Sequence, residues 1–141
     1  MPQSDVYLGN PNLKKANTEI QFTEENVKEF LKCKDDPVYF ARQYIKIVNV
    51  DEGLVPFTMW PFQEKLIKNF HKNRFNICMM PRQTGKSTTS VSYLLHYAIF
   101  NDNINIGILA NKAATARDLL GRLQTAYENL PKWMQQGIVA W

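Results

Sequence analysis

The hydrophobic pattern is clearest in the second half of the chain. Two short and mostly apolar runs, at residues 75–80 (FNICMM) and 104–110 (INIGILA), are typical of strands that are covered on both faces. Each run is followed by apolar residues at helical spacing, which are Val91, Leu94, Leu95, Ala98 and Ile99 after the first run and Ala116, Leu119, Leu120, Leu123 and Leu130 after the second. This order of strand, helix, strand and helix predicts an α/β fold with a parallel sheet and right-handed crossovers.

The first half of the chain is predicted to be mainly helical. Residues 1–22 are polar and lack a sustained period, so we interpret them as an N-terminal arm or extension that precedes one domain at 23–141. Residues 46–58 carry short β-branched runs around a turn at 51–53, which predicts a strand or a hairpin. Three helix starts are marked by a capping side chain or a proline, at Thr23, Asp36-Pro37 and Pro61.

Composition and charge narrow the class of protein. With 141 residues, of which 45% are hydrophobic, the chain can bury a core and should fold. A net charge of +4 permits contact with nucleic acid without requiring it. No apolar run approaches the roughly 20 residues of a membrane span, so we expect a soluble intracellular protein with no membrane partner. No metal-site spacing links the cysteines and histidines, which are Cys33, Cys78, His71 and His96.

A phosphate-binding loop is indicated where the first apolar run meets the following helix. The sequence MMPRQTGKSTT, residues 79–89, ends like the pattern G-x-x-x-x-G-K-[ST], but Met80 takes the place of the first glycine. In such loops the glycine, here Gly85, lets the backbone approach a phosphate closely. Lys86 is placed to reach the β- and γ-oxygens, and the Ser87 hydroxyl is placed to bind Mg²⁺.

The unusual entry of this loop changes its expected chemistry. Met80 does not readily adopt the positive φ angles that glycine permits, so the entry must be built differently, with Pro81 stiffening it. The loop gains two polar side chains, Arg82 and Gln83, beside the expected γ-phosphate. Arg82 is placed to offset charge on a transferring phosphoryl group, as an arginine finger does. The alternative is that Arg82 pairs with a nearby carboxylate.

The loop and its surroundings resemble one known family. A loop of the form [S/P]-R-Q-x-G-K-[S/T]-[S/T], preceded by the aromatic-Gln pair Phe62-Gln63, resembles the large terminase subunits of tailed phages, most closely those of T-even-type myophages. Further segments look like that subunit in the same order, at residues 11–17, 35–41, 107–110 and 130–139. Several such segments in register are more specific than one loop.

The resemblance implies a fold, two ligands and a set of site residues. The fold would be the front part of a P-loop NTPase domain of the RecA/ASCE-like type, incomplete and with an N-terminal helical region. ATP and Mg²⁺ would be the ligands, with Lys86 and Arg82 catalytic and Ser87 at the metal. The residues expected to bind ATP are Phe62 and Gln63 at the adenine and Gln83, Thr84, Gly85, Lys86, Ser87 and Thr88 at the phosphates.

Two of these assignments have alternatives. Phe62 is also compatible with plain packing of its helix against the core. Some family members use an arginine from a neighbouring subunit, and Arg122, on the last long helix, is the candidate for this role. The alternative for Arg122 is a solvated helix face.

The resemblance also implies a biological role. The large terminase subunit is the motor that packages viral DNA: its ATPase pumps double-stranded DNA into the prohead, and its nuclease cuts the concatemer. The implied partners are the portal protein and the small terminase subunit. The implied assembly is a homo-oligomeric ring on the prohead, in the cytoplasm of the host cell.

The sequence also departs from the family, and rival interpretations stay open. It has no apolar strand that ends in Asp-Glu (Walker B), no coupling motif and no nuclease carboxylates, so we predict weak nucleotide binding and poor hydrolysis by this chain. One rival is a superfamily-two helicase or translocase, whose loop usually reads A-x-x-G-x-G-K-T. Another is a non-catalytic nucleotide-binding fragment that acts as an assembly module.

A basic stripe follows the Phe62-Gln63 pair. Lys65, Lys68 and Lys72 share one face of the predicted helix, with Arg74 beyond it. These side chains are suited to DNA phosphates, although a solvated helix face is the alternative.

Overall fold

Helices dominate the computed structural model, which describes residues 5–140. A short 3-10 turn at Tyr7–Gly9 precedes two helices, a hairpin and three further helices. The elements are α1 Glu24–Asp35, α2 Pro37–Tyr44, β1 Lys46–Asn49, β2 Gly53–Pro56, α3 Pro61–Lys72, α4 Lys86–Phe100 and α5 Ala113–Glu128.

The three predicted helix starts are confirmed. The Thr23 hydroxyl oxygen accepts a hydrogen bond from the Asn26 N–H at 3.2 Å, which caps α1. The Asp36 carboxylate accepts two, from the Val38 N–H at 2.9 Å and the Tyr39 N–H at 3.0 Å, and so caps α2. Proline occupies the start of both α2 and α3, where its missing N–H costs no helical hydrogen bond.

The predicted hairpin is confirmed as well. Strands β1 and β2 pair antiparallel, from Lys46 opposite Pro56 to Asn49 opposite Gly53. The turn between them is closed by the Asn49 side-chain oxygen, which accepts from the Asp51 N–H at 2.8 Å. Gly53 ends the turn at φ +74°, a conformation that glycine adopts without strain.

The predicted parallel sheet is wrong, and with it the RecA-like P-loop fold class. In residues 5–140 the sheet has two strands, β1 and β2, and they are antiparallel. The apolar runs at 75–80 and 104–110 belong to no strand. Their side chains are largely exposed, with Phe75 at 83% and Ile77 at 95% of the fully exposed area.

The error has a physical cause. An apolar run indicates that its side chains suit a buried environment. A strand also needs a second strand beside it, with which its backbone N–H and C=O groups form hydrogen bonds. Here a cavity of about 720 Å³ over α4 lies between the two runs, bordered by residues such as Asn76 and Ile106. The pattern therefore predicted strands that have no pairing partner in the described residues.

The core forms around α4, which packs against α2, α3 and α5. Phe100 is the last residue of α4. Its ring packs edge to face against the rings of Phe30 and Phe40, with distances between ring centroids of 4.9 and 5.6 Å. His96 is buried on the same helix, and its Nε2–H donates to the Cys33 carbonyl oxygen at 2.8 Å. These contacts join α1 and α2 to the C-terminal half of α4, at the end opposite to the predicted loop.

The N-terminal segment contacts the end of the described chain. Leu13 is buried, and Lys15 forms an isolated parallel bridge with Ile138. The buried Gln135 side chain joins the two segments, since its Oε1 accepts from the Lys14 N–H at 2.9 Å and its Nε2 donates to the Asn12 carbonyl at 2.8 Å. Across residues 5–140, no helix combines the length and apolar character needed to cross a membrane.

Candidate functional site

The predicted phosphate loop forms a tight turn at the start of α4. Gly85 is the N-cap residue at φ +74°, and Gln83, two residues earlier, also has a positive φ of +61°. The first backbone hydrogen bond of the helix runs from the Thr89 N–H to the Gly85 carbonyl at 2.9 Å. The preceding amides of the first turn have no acceptor within the helix, and Gly85 offers no capping side chain. This helix end is therefore suited to an anion.

Two side chains hold the loop together internally. The Thr84 hydroxyl donates to the Pro81 carbonyl at 3.0 Å. The Lys86 ammonium donates to the carbonyl of Met80 at 2.6 Å. Met80 takes the place of the usual first glycine, so the lysine of the loop bonds to the unusual loop entry. A bound phosphate would compete with that carbonyl for the Lys86 ammonium.

A cavity of about 420 Å³ lies beside the loop, between it, the start of α3 and the hairpin. Its lining comprises Ile47, Phe57, Thr58, Trp60, Phe62, Gln63, Gln83, Thr84, Gly85 and Thr88. Six of the residues predicted from the sequence thus border one space, although they come from two separate segments. The lining combines the aromatic residues Phe57, Trp60 and Phe62 with residues of the loop, which suits a ligand with a flat ring and a phosphate chain. Phe62 is 45% exposed, which argues against plain core packing.

Gln63 is the buried link between α3 and the loop, with 4% of its area exposed. Its Oε1 accepts from the Trp60 N–H at 2.9 Å, and its Nε2 donates to the Thr84 carbonyl at 3.2 Å. A Cβ atom on Gly85 would lie 2.4 Å from that Nε2, so only glycine fits here without moving the amide. Both ends of the amide predicted to recognise adenine are thus engaged with the protein.

Sequence reasoning missed two of the three aromatic residues that line this cavity, Trp60 and Phe57. Trp60 is 67% exposed, and Phe57 is buried. Trp60 directly precedes Pro61, the proline at which α3 begins. No signal in the sequence assigns Trp60 to a ligand site, because its position beside the loop depends on tertiary packing.

The remaining loop residues lie outside the lining of this cavity. Arg82 and Ser87 are exposed, and the half-buried Lys86 opens α4. The structure describes two ion pairs in residues 5–140, Arg42 with Glu64 and Arg122 with Asp118. Arg82 belongs to neither, so the alternative that it pairs with a carboxylate has no support in this part of the chain.

Arg122 lies near the loop within the same chain. It lines a second cavity of about 550 Å³ between β1, α4 and α5, and Thr88 and Ile47 border both cavities. Its Nε donates to Asp118 Oδ2 at 3.0 Å, one helical turn away, and its side chain is 52% exposed. The arginine therefore has an intrachain partner and remains accessible from outside.

Acidic groups are scarce around the loop. The lining of the cavity beside the loop contains no aspartate or glutamate. The described residues hold no cluster of three or more side chains of the His, Cys, Asp and Glu types that could bind a metal. The Ser87 hydroxyl at the helix start fits one ligand position of Mg²⁺, whose other ligands would then be phosphate oxygens and water.

The ionisable groups with shifted pKa values lie away from the loop. Burial is the main cause that raises the pKa of Cys33 to about 12, so its thiol is unreactive at neutral pH. Glu29 accepts hydrogen bonds from the hydroxyls of Tyr39 and Tyr44, at 2.8 and 3.0 Å. The pKa of Tyr39 is raised chiefly by this bond, and that of Tyr44 chiefly by burial and then by the bond. These groups hold α1 against α2.

The basic stripe on α3 is accessible. Lys65, Lys68 and Lys72 are all exposed, as is Arg74 just after the helix. The guanidinium carbon of Arg74 lies 5.2 Å from the centre of the Phe75 ring. The exposure of these side chains is compatible with both interpretations from the sequence, which are a contact with DNA phosphates and a helix face that is simply solvated.

A scan of the chain against models of protein families finds no match. The likeness to terminases therefore depends on the loop and on the short segments around it.

Proposed function

We propose that the chain binds ATP with Mg²⁺, with the phosphates at the loop and the base in the adjacent cavity. The observation that carries the proposal is the shared cavity: Phe62 and Gln63 from α3 border the same space as Gln83, Thr84, Gly85 and Thr88. Two segments that the sequence assigned separately to base and phosphate thus border one space of suitable size.

The phosphate side of the proposal uses backbone and charge. The unpaired amides of the first turn of α4 and the helix dipole favour an anion at Gly85. Lys86 would exchange the Met80 carbonyl for phosphate oxygens. Ser87 would bind Mg²⁺, and the exposed Arg82 would offset charge at the γ-phosphate.

The base side uses aromatic surface. Phe62 and Trp60 are both partly exposed at the cavity. An aromatic contact with an adenine ring contributes about 0.5–1.5 kcal/mol beyond the area it buries. Gln63 would read the adenine edge only by giving up one of its two hydrogen bonds within the protein.

The role of this binding is proposed from the resemblance. The chain would be the ATP-binding part of a large terminase subunit that drives double-stranded DNA into the prohead, in a ring that contacts the portal protein and the small subunit. Arg122, which is exposed beside the loop region, would act on a neighbouring subunit. Its bond to Asp118 would have to open first.

A second candidate function is a nucleotide-binding module without turnover. It is favoured by the lack of an acidic side chain in the lining of the cavity beside the loop, since an attacking water there has no general base. We accordingly expect slow hydrolysis by this chain. Steady-state phosphate release at the rate of an intact packaging motor would contradict that expectation.

The binding step is tested by titration calorimetry with Mg·ATP and Mg·ADP. Lys86→Ala is expected to weaken both by about tenfold or more, since a charge-assisted bond to phosphate contributes about 1.5–3 kcal/mol. The matched control is Lys132→Ala, a change at an exposed lysine outside both cavities. Equal affinities for wild type and Lys86→Ala, with both proteins folded by circular dichroism, would exclude the loop as the phosphate site.

A further inference from the structure

The loop has one side-chain hydrogen bond from another element. Of the hydrogen bonds that the structure describes for residues 80–85, those donated by Thr84, Lys86 and Thr89 stay within the loop and the start of α4. The bond from Gln63 Nε2 to the Thr84 carbonyl comes from α3, across 21 positions of sequence. This carbonyl lies between Gln83 and Gly85, the two loop residues with positive φ.

The donor of that bond is itself fixed. Gln63 is buried, and its Oε1 accepts from the Trp60 N–H, which orients the amide so that Nε2 points to the loop. Gly85 leaves the room that this amide needs, because any Cβ there would lie 2.4 Å from Nε2. Three independent features thus place one N–H group against one carbonyl of the loop.

We infer that Gln63 is a positioning residue for the phosphate loop, which it holds in its binding geometry through the Thr84 carbonyl. This inference rests on the proposed function and deepens it. The amides of the first turn of α4 converge on one phosphate only if the peptide that precedes Gly85 keeps its orientation. Gln63 fixes that orientation from outside the loop, so its contribution does not require a base in the ligand.

This role differs measurably from recognition of adenine. A side chain that reads the base changes affinity only for ligands that carry one, and it changes the preference for ATP over GTP. A side chain that positions the loop changes affinity for every polyphosphate by a similar factor. Inorganic tripolyphosphate with Mg²⁺ separates the two roles, because it has the phosphate chain and no base.

The experiment compares Gln63→Met with Phe62→Ala in the full chain. Methionine keeps the length of glutamine and adds no charge near the phosphates, but it removes both hydrogen bonds. We expect Gln63→Met to weaken tripolyphosphate, ATP and GTP each by roughly tenfold, as the loss of a buried hydrogen bond at a binding loop implies. The control Phe62→Ala should weaken ATP and GTP and leave tripolyphosphate within about twofold.

The outcomes separate the inference from the function on which it rests. If the wild type binds ATP and tripolyphosphate, and Gln63→Met weakens only the nucleotides or changes their ratio, Gln63 reads the base and the inference is overturned while the proposed function stands. If the wild type binds none of the three ligands, the proposed function fails and the inference fails with it.

A second measurement applies if Gln63→Met does not fold. In the wild type, the side-chain NH₂ protons of Gln63 are followed by solvent exchange in NMR spectra, with and without tripolyphosphate. Protection that is retained or increased with the ligand supports the positioning role, because the bond to Thr84 then persists in the complex. Protection that is lost when the ligand binds overturns it.

Discussion

The contact between Gly85 and Gln63 gives the sharpest stability prediction. Gly85→Ala has two separate costs in this structure. Gly85 has φ +74°, where an alanine is disfavoured by about 1–2 kcal/mol. The new Cβ would also lie 2.4 Å from Gln63 Nε2, so the amide must move and lose the Thr84 carbonyl, at a further cost of about 1 kcal/mol. The expected total is about 2–3 kcal/mol in the free energy of unfolding.

The chain offers a matched control for this change. Gly53 has the same φ of +74°, and a Cβ placed on it meets nothing within 4 Å. Gly53→Ala therefore measures the backbone cost alone, about 1–2 kcal/mol. The difference between the two variants isolates the contact with Gln63.

The assay is urea unfolding monitored by circular dichroism. The slope of the free energy of unfolding against urea concentration is compared among the variants, to confirm that they undergo the same unfolding transition. In a Gln63→Ala background the amide is absent, so Gly85→Ala should cost no more than Gly53→Ala does in the wild type. Equal destabilisation by Gly85→Ala and Gly53→Ala in the wild type would refute the reasoning.

Two further predictions concern charge. Changing Lys65, Lys68 and Lys72 together to Glu should abolish most DNA binding at low salt and flatten its salt dependence, as judged by fluorescence anisotropy. The control replaces three exposed lysines of α1, which are Lys28, Lys32 and Lys34, by Glu. The α3 stripe would be ruled out as a DNA contact if its variant bound DNA like the wild type, or if the control lost DNA binding to the same extent. The pKa of His96 is lowered, mainly by burial. As the pH falls, His96 therefore becomes protonated in the unfolded chain before it does so in the folded chain, and this favours unfolding. Stability should therefore be full above about pH 6.5 and fall as the pH drops below it. His96→Gln should weaken this dependence in urea titrations between about pH 5 and 8, and an identical pH profile for the variant would contradict the assignment.

Features set by neighbours in sequence were predicted well. The starts of α1, α2 and α3 follow from Thr23, Asp36 and prolines, because a cap bonds amides two or three positions away. The turn of the hairpin and the loop at the start of α4 are similarly local. The candidate site was predicted as two separate segments, Phe62-Gln63 and the loop, on a resemblance and a motif.

The pairing of strands and the contacts between residues far apart in the chain could not be predicted from the sequence. It predicted a parallel sheet from the apolar runs at 75–80 and 104–110, because apolar character is a property of a segment and strand pairing is a property of two segments. It also gave no indication that Trp60 would border the cavity.

The sequence by itself determined the helices, the caps of α1 and α2, the hairpin turn and the glycine and lysine of the loop, since each depends on residues within a few positions of one another. Only the tertiary structure decided that the amide of Gln63 contacts the Thr84 carbonyl, that Gly85 must leave room for it, and that Lys86 closes on Met80. Those contacts depend on how α3 packs against α4, and that packing is fixed by the shared core around Ile67 and Leu95.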